Sequence, residues 1–195
     1  MMKKILSSEK IFKISPIVYC MLKLRDLVFL VLGIILGLLI YNFALPQVAL
    51  PVASAMAVFS PEEGEEIIEF IDSAQESLEI EMYVFTSEEI ADALQNAKNR
   101  GVDVKIILEK RVTTPDNEKH YNELNDYGID VRWASTSYQL THAKFIIVDG
   151  KRVLVGSHNF SNAAMRRNRE ASVILSGSIV EEFKRIFNTD WELAS

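Results

Sequence analysis

From about Val58 onward, apolar and polar residues alternate with two periods, and the chain reads as helices and strands in succession. Ile67, Phe70, Ile71 and Ala74 recur at i, i+3, i+4 and i+7, the spacing of an amphipathic helix. Its start is expected at Ser60, with Pro61 at the first position and Glu63 closing a capping box. Leu78 to Phe85 alternates and then turns apolar, as a strand does. Ser87 caps a helix running to Arg100, and Gly101 ends it. Val102 to Leu108 is a strand, Glu109 to Asn117 a polar loop, Glu118 to Tyr127 a helix stopped at Gly128, and Ile129 to Ala134 a short strand. A strand through Val148 turns at Gly150 into Arg152–Val155. A short helix from Ser161 to Arg167, a strand from Glu170 to Leu175 and an amphipathic helix from Ser178 to Leu193 complete the pattern. The expected class is α/β, with strands in both halves of the domain.

One stretch breaks both periods. Leu27 to Leu45 reads LVFLVLGIILGLLIYNFAL, with no charged residue. A run of about 20 apolar residues suffices to cross a bilayer core. The flank before it carries Lys3, Lys4, Lys10, Lys13, Lys23 and Arg25 against Glu9 and Asp26. Positive residues beside a span favour the cytoplasmic side. The organisation expected is therefore a basic segment over 1–26, a transmembrane signal anchor over 27–45, a linker over 46–57 and a folded domain over 58–195 outside the cytoplasm. The small residues Ala53-Ser54-Ala55 and Ala55-Met56-Ala57 leave open a cleaved signal peptide and a secreted product, although the apolar run exceeds a usual signal core.

Charge splits at the same boundary. Of 21 basic and 27 acidic residues, six and two lie in the first 26 positions, leaving 15 and 25 beyond the apolar run. A domain with a net charge of −10 lacks the basic footprint of a general nucleic-acid binder, though a local basic cleft remains open to it. Cys20 is the sole cysteine and precedes the apolar run, so the domain has no disulfide. The acidic run Glu62-Glu63 and Glu65-Glu66 fits a helix N-terminus and a solvated face.

The chemistry concentrates in Thr141-His142-Ala143-Lys144, Asp149, and Gly156-Ser157-His158-Asn159-Phe160. In extended chain, residues i and i+2 share a face, which pairs His142 with Lys144 and Ser157 with Asn159. An imidazole, a fixed ammonium and two small polar groups suit a phosphate diester. Lys144 holds a nonbridging oxygen, Ser157 and Asn159 donate hydrogen bonds, and His142 attacks phosphorus or carries a proton. Strand parity turns Asp149 away from Lys144, which gives it a structural role. His158 points away from its neighbours, and His120, in a polar helix, is expected at the surface. Arg166, Arg167 and Arg169 read as solvated surface, with a phosphate or strand-binding rim as the functional alternative.

The pattern H-x-K-x-x-x-x-D followed by G-S-x-N-F resembles the signature of the phospholipase D superfamily, with His142, Lys144, Asp149, Gly156, Ser157, Asn159 and Phe160 in every position. Asn168 and Glu170 resemble its downstream N-x-E element, whose carboxylate orients the histidine. The resemblance implies a mixed β-sheet flanked by helices and covalent phosphohistidine chemistry. The motif offers one histidine and a lysine that does the charge work of a metal, so a reaction without metal or cofactor is expected. Family chemistry uses two histidines, one attacking and one protonating the leaving oxygen. This chain has one H-x-K, so the resemblance implies a homodimer that shares one site. The leading expectation is a membrane-anchored endonuclease acting on DNA or RNA. The alternatives are hydrolysis of a phospholipid such as cardiolipin, and a binding module without catalysis.

Overall fold

The computed structural model describes residues 16–43, 51–112 and 116–195. The chain divides into two compact units, Met1–Val48 and Ala49–Ser195. In the first, helix α1 spans Pro16–Phe43, and its side chains from Leu24 to Leu38 are exposed. The side chains described end at Leu38, inside the expected Leu27–Leu45 span, and among the described residues no helix is long and apolar enough to cross a membrane. The basic residues before Pro16 and the linker residues 46–50 lie outside the described residues.

The second unit is built on one seven-stranded sheet. Its strands are β1 (Ser54–Phe59), β2 (Ser77–Met82), β3 (Asp103–Leu108), β4 (Asp130–Trp133), β5 (Lys144–Val148), β6 (Arg152–Gly156) and β7 (Ala171–Ser176). They lie in the order β1-β7-β6-β5-β2-β3-β4. The β2–β3 and β3–β4 pairs are parallel and the other four antiparallel. Each parallel pair is joined by a helix, α3 (Glu88–Asn99) and α4 (Asp116–Asp126), as a parallel crossover calls for. Helices α2 (Glu66–Asp72), α5 (Asn162–Arg166) and α6 (Ile179–Leu193) complete the unit.

Helices cover both faces of the sheet. Ile67, Ile71, Ile90, Leu94 and Leu124 pack with Ile80, Ile106, Ile146 and Val148 in one core. Val180 and Phe187 of α6 pack with Ile107, Phe145, Ile147 and Val153 in the other. All five residues of β5 are buried, so alternation disappears there, as it does in a strand covered on both sides. Each large apolar side chain fully buried in these cores contributes about 1.5–3 kcal/mol.

Three expectations are corrected. The linker was expected to run to Ala57, but its last four residues belong to β1, which pairs with β7 from Ser54↔Ser176 to Phe59↔Ala171. Helix α2 starts at Glu66 rather than at Ser60. Ser60 is buried and donates to the Asn168 carbonyl at 2.9 Å, and the Glu63 carboxylate accepts from the Phe59 amide at 3.0 Å. Ser60 thus ties the end of β1 to the chain entering β7, and Glu63 reaches back to the last residue of β1, instead of capping a helix. His120, finally, is buried at 1% exposure and stacks on Phe85 with ring centroids 4.5 Å apart.

Candidate active site

The sheet brings the chemistry to one end. Lys144 begins β5 opposite Met82, the last residue of β2, while Gly156 ends β6 opposite Ser172 near the start of β7. The segments that leave or enter these strand ends carry His142, Tyr83, Ser157 and Glu170. Gly156 is required by the close approach of β7: a Cβ there would lie 2.3 Å from Ser172 Oγ and 2.4 Å from the Ala171 carbonyl oxygen. At the opposite end of β5, Asp149 and Gly150 both have positive φ, 54° and 59°, which suits an Asp-Gly tight turn. The Asp149 carboxylate accepts from the backbone amides of Gln75, Glu76 and Ser77 at 2.7–3.3 Å. Burial opposes its ionisation, but those amides and Lys151 hold its pKa below the ordinary value. It fastens the β5–β6 turn to the start of β2.

His142 precedes β5 and is exposed, while Lys144 is buried. The Lys144 Nζ lies 3.3 Å from His142 Nδ1 and 3.4 Å from Nε2, and donates to the His142 carbonyl at 2.9 Å. Burial lowers the Lys144 pKa, and the Glu170 charge opposes that shift. The Tyr83 ring stands 4.3 Å from the His142 ring and 5.1 Å from the Lys144 ammonium.

Glu170 is held from two sides. Its carboxylate accepts from Ser157 Oγ at 2.5 Å and from Asn168 Nδ2 at 3.0 Å. Burial would raise its pKa, but these hydrogen bonds and the charges of His158 and Lys144 leave it lowered. Glu170 was expected to orient His142. Among the described residues of one chain, the hydrogen bonds of its carboxylate go to Ser157 and Asn168. The Ser157 hydroxyl also accepts from the Ala171 amide at 3.1 Å, and Asn159 Oδ1 accepts from the Val84 amide at 3.3 Å. The structure therefore brings His142 to Lys144 and Ser157 to Glu170, and gives both expected phosphate donors work within the fold. His158 is buried, with Nδ1 at 2.7 Å from Ser172 Oγ, and burial lowers its pKa against the Glu170 charge.

Two clusters outside this end are ion-paired. Arg166 pairs with Glu65 at 2.5 Å and Glu89 at 2.7 Å, and Arg169 is bidentate to Glu62 at 2.7 and 3.0 Å. Glu62 and Glu65 of the acidic run are thus paired with Arg169 and Arg166. Glu88, His120 and Glu123 place ligand atoms within 4.8 Å of one another, close enough to hold a metal ion. The Lys119 ammonium bonds Glu88 and stands 3.7 Å from Glu123.

Residues 67–191 match the family model for the cardiolipin synthase, PLD-like domain. The chain belongs to the phospholipase D superfamily. It is 34% identical over 151 residues to a phospholipase D of Rickettsia typhi, covering 72% of this chain and 73% of that protein. It is 29% identical over 133 residues to the mitochondrial cardiolipin hydrolase of Chlamydomonas reinhardtii, covering 65% of this chain and 56% of the relative. The chain thus spans about half the length of some curated relatives. Among solved structures, Nuc, a phospholipase D family member from Salmonella typhimurium, aligns with a TM-score of 0.68 and 34% identity, covering 73% of this chain and 96% of Nuc. His142 and Lys144, which match the superfamily's H-x-K pattern, lie together at this strand end, and the Glu170 charge opposes the lowering of the Lys144 pKa.

Sequence reasoning missed Tyr83, which touches the His142 ring, and Glu109, Arg111 and Asn117, which bond the segments next to His142 and Tyr83. None shows in the periodicity, because strand-end loops bring them in from separate parts of the chain.

Proposed function

We propose that this chain is a metal-independent phosphodiesterase that cleaves nucleic acid, DNA or RNA, through a phosphohistidine. The observation that carries the reading is the Lys144 ammonium beside the exposed His142 ring. A nitrogen of His142 attacks phosphorus and displaces the alcohol oxygen. Lys144 stabilises the charge that grows on the nonbridging oxygens. Water then attacks the phosphohistidine and frees the imidazole. Lys144 supplies the positive charge that a metal supplies in two-metal sites. The protonating histidine would be His142 of a second copy, in a two-fold homodimer. An open groove of about 410 Å³ beside His142 and Lys144, lined by Phe145, Val155, Phe183 and Ile186, offers that copy an apolar surface.

Nucleic acid is favoured because the domain is small, carries a single signature motif without large insertions, and presents its signature residues in an open strand-end site. A phospholipid substrate is the second reading, supported by relatives named phospholipase D and cardiolipin hydrolase and by the exposed apolar side chains of α1. In both readings the apolar run Leu27–Leu45 is the proposed anchor, with the N-terminus cytoplasmic and the domain outside. The full chain, incubated in EDTA with single-stranded DNA, RNA and cardiolipin vesicles, decides among them. Nucleic-acid cleavage that His142→Asn and Lys144→Ala abolish is the expected result. A strict divalent-metal requirement would defeat the mechanism, and lipid turnover alone would replace the substrate.

A further inference from the structure

We infer that Glu109 and Arg111, with Asn117, form a buried clamp that positions His142. The inference rests on the phosphohistidine reading above. Glu109 follows β3 and is fully buried. Its carboxylate accepts four N–H groups: the Arg111 amide at 2.8 Å, Arg111 Nε at 2.7 Å, Arg111 Nη2 at 2.8 Å and the Thr141 amide at 2.7 Å. Thr141 is the residue immediately before His142. Arg111 extends the grip by donating to the Tyr138 carbonyl at 2.8 Å and the Ser135 carbonyl at 3.2 Å. The loop from Ser135 to Thr141 carries no helix or strand of its own, so these bonds hold it.

The same node reaches the other side of the histidine. Asn117 is buried, and its Nδ2 donates to the Glu109 carbonyl at 2.9 Å and to the Tyr83 carbonyl at 2.8 Å. Its Oδ1 accepts from the Phe85 amide at 2.7 Å. That fixes the backbone on both sides of Val84 and presents the Tyr83 ring to His142. The nucleophile is therefore held through its own chain by Thr141 and across its ring by Tyr83, with both holds meeting at Glu109. A buried carboxylate needs its hydrogen-bonding capacity filled, and here Thr141, beside His142, fills one place while Arg111, which itself holds the loop leading to His142, fills the other three. Neither Glu109 nor Arg111 touches the reacting atoms in this geometry, so they are positioning residues.

The test uses the full chain with bis(p-nitrophenyl) phosphate, a diester too small to draw on distant binding contacts. Glu109→Gln removes the charge that gathers the Arg111 guanidinium, and kcat should fall on the order of 10²-fold, the effect of misplacing a reacting group by about 1 Å. KM should change little. Arg111→Gly should lose kcat similarly and recover part of it in added guanidinium, which refills the vacated place. This second variant decides the matter if Glu109→Gln does not fold. Folded variants with wild-type kcat, or losses without guanidinium rescue, overturn the clamp. A wild-type chain inactive on every diester would instead refute the catalytic reading. The clamp is then judged by the NMR signals of labelled histidine, of which the chain has three. Displacement of the His142 ring signals in Glu109→Gln supports it, and unchanged signals overturn it.

Discussion

At the scale of single residues, Glu170, expected to orient His142, makes its hydrogen bonds within one chain elsewhere. Its carboxylate binds Ser157 and Asn168, and its charge acts on Lys144 and His158. Glu170→Gln should keep the hydrogen bonds within reach but remove that charge. The expected outcome is a loss of turnover on the order of 10²-fold with the fold intact, checked by steady-state kinetics beside a melting curve. The pH dependence has a definite sign. The folded-state pKa is depressed, so the contribution of Glu170 to stability is complete above its unfolded pKa and lost as pH falls through the folded value. Glu170→Gln should flatten that acid limb. The signature residues themselves were legible because their spacing is local: His142 and Lys144 are two apart, and extended backbone brings them together. Glu109, Arg111 and Asn117 were not, because only the sheet order carries the end of β3 and the start of α4 to the segment before β5.

At the scale of elements, the strands and helices of the second unit were largely legible, and the misreadings share a cause. Strand β1 reads Ser-Ala-Met-Ala-Val-Phe, small and apolar with little alternation, and its partner β7 lies 122 residues away at Ser54↔Ser176. Nothing local marks it as a strand. His120 was misread because α4 is polar, yet Asn117, His120, Tyr121 and Leu124 recur at i, i+3, i+4 and i+7, a buried face whose first two members are polar. A third polar group hidden between elements carries a prediction. Glu81 of β2 is buried under α6 near Asp190, which also accepts from the Tyr138 hydroxyl at 3.0 Å. Burial, then the Asp190 charge, push the Glu81 pKa from 4.5 up to about 8. Across that window the native state keeps a proton that the unfolded chain has released. Stability from this group is therefore full below 4.5 and lost as pH rises through about 8. Glu81→Gln should leave melting temperatures at low pH nearly unchanged and raise them, relative to wild type, toward alkaline pH. Parallel melting curves with pH would count against a buried protonated Glu81.

At the scale of the whole molecule, the arrangement raises one question of number. The phospholipase D-type reaction needs an attacking nitrogen and a proton for the leaving oxygen, and the chain supplies one H-x-K. The other two histidines are buried, His120 against Phe85 and His158 against Ser172, so neither is exposed as His142 is. The proposed second copy would meet the need: the groove lined by Phe183 and Ile186 opens beside His142, where a two-fold contact would bring the second ring to the same phosphate. The consequence is a non-additive mixing result. Wild-type and His142→Ala chains carrying different affinity tags are co-expressed, and the heterodimer is isolated through both tags. Each shared site then lacks one of its two histidines, so the heterodimer should have almost no activity rather than half. Ile186→Glu, which places a charge on the exposed lip of the groove, should shift sedimentation toward monomer and lose turnover in parallel. Half activity in the purified heterodimer, or a fully active monomer, would show that one His142 suffices and that the leaving oxygen takes its proton from within a single chain.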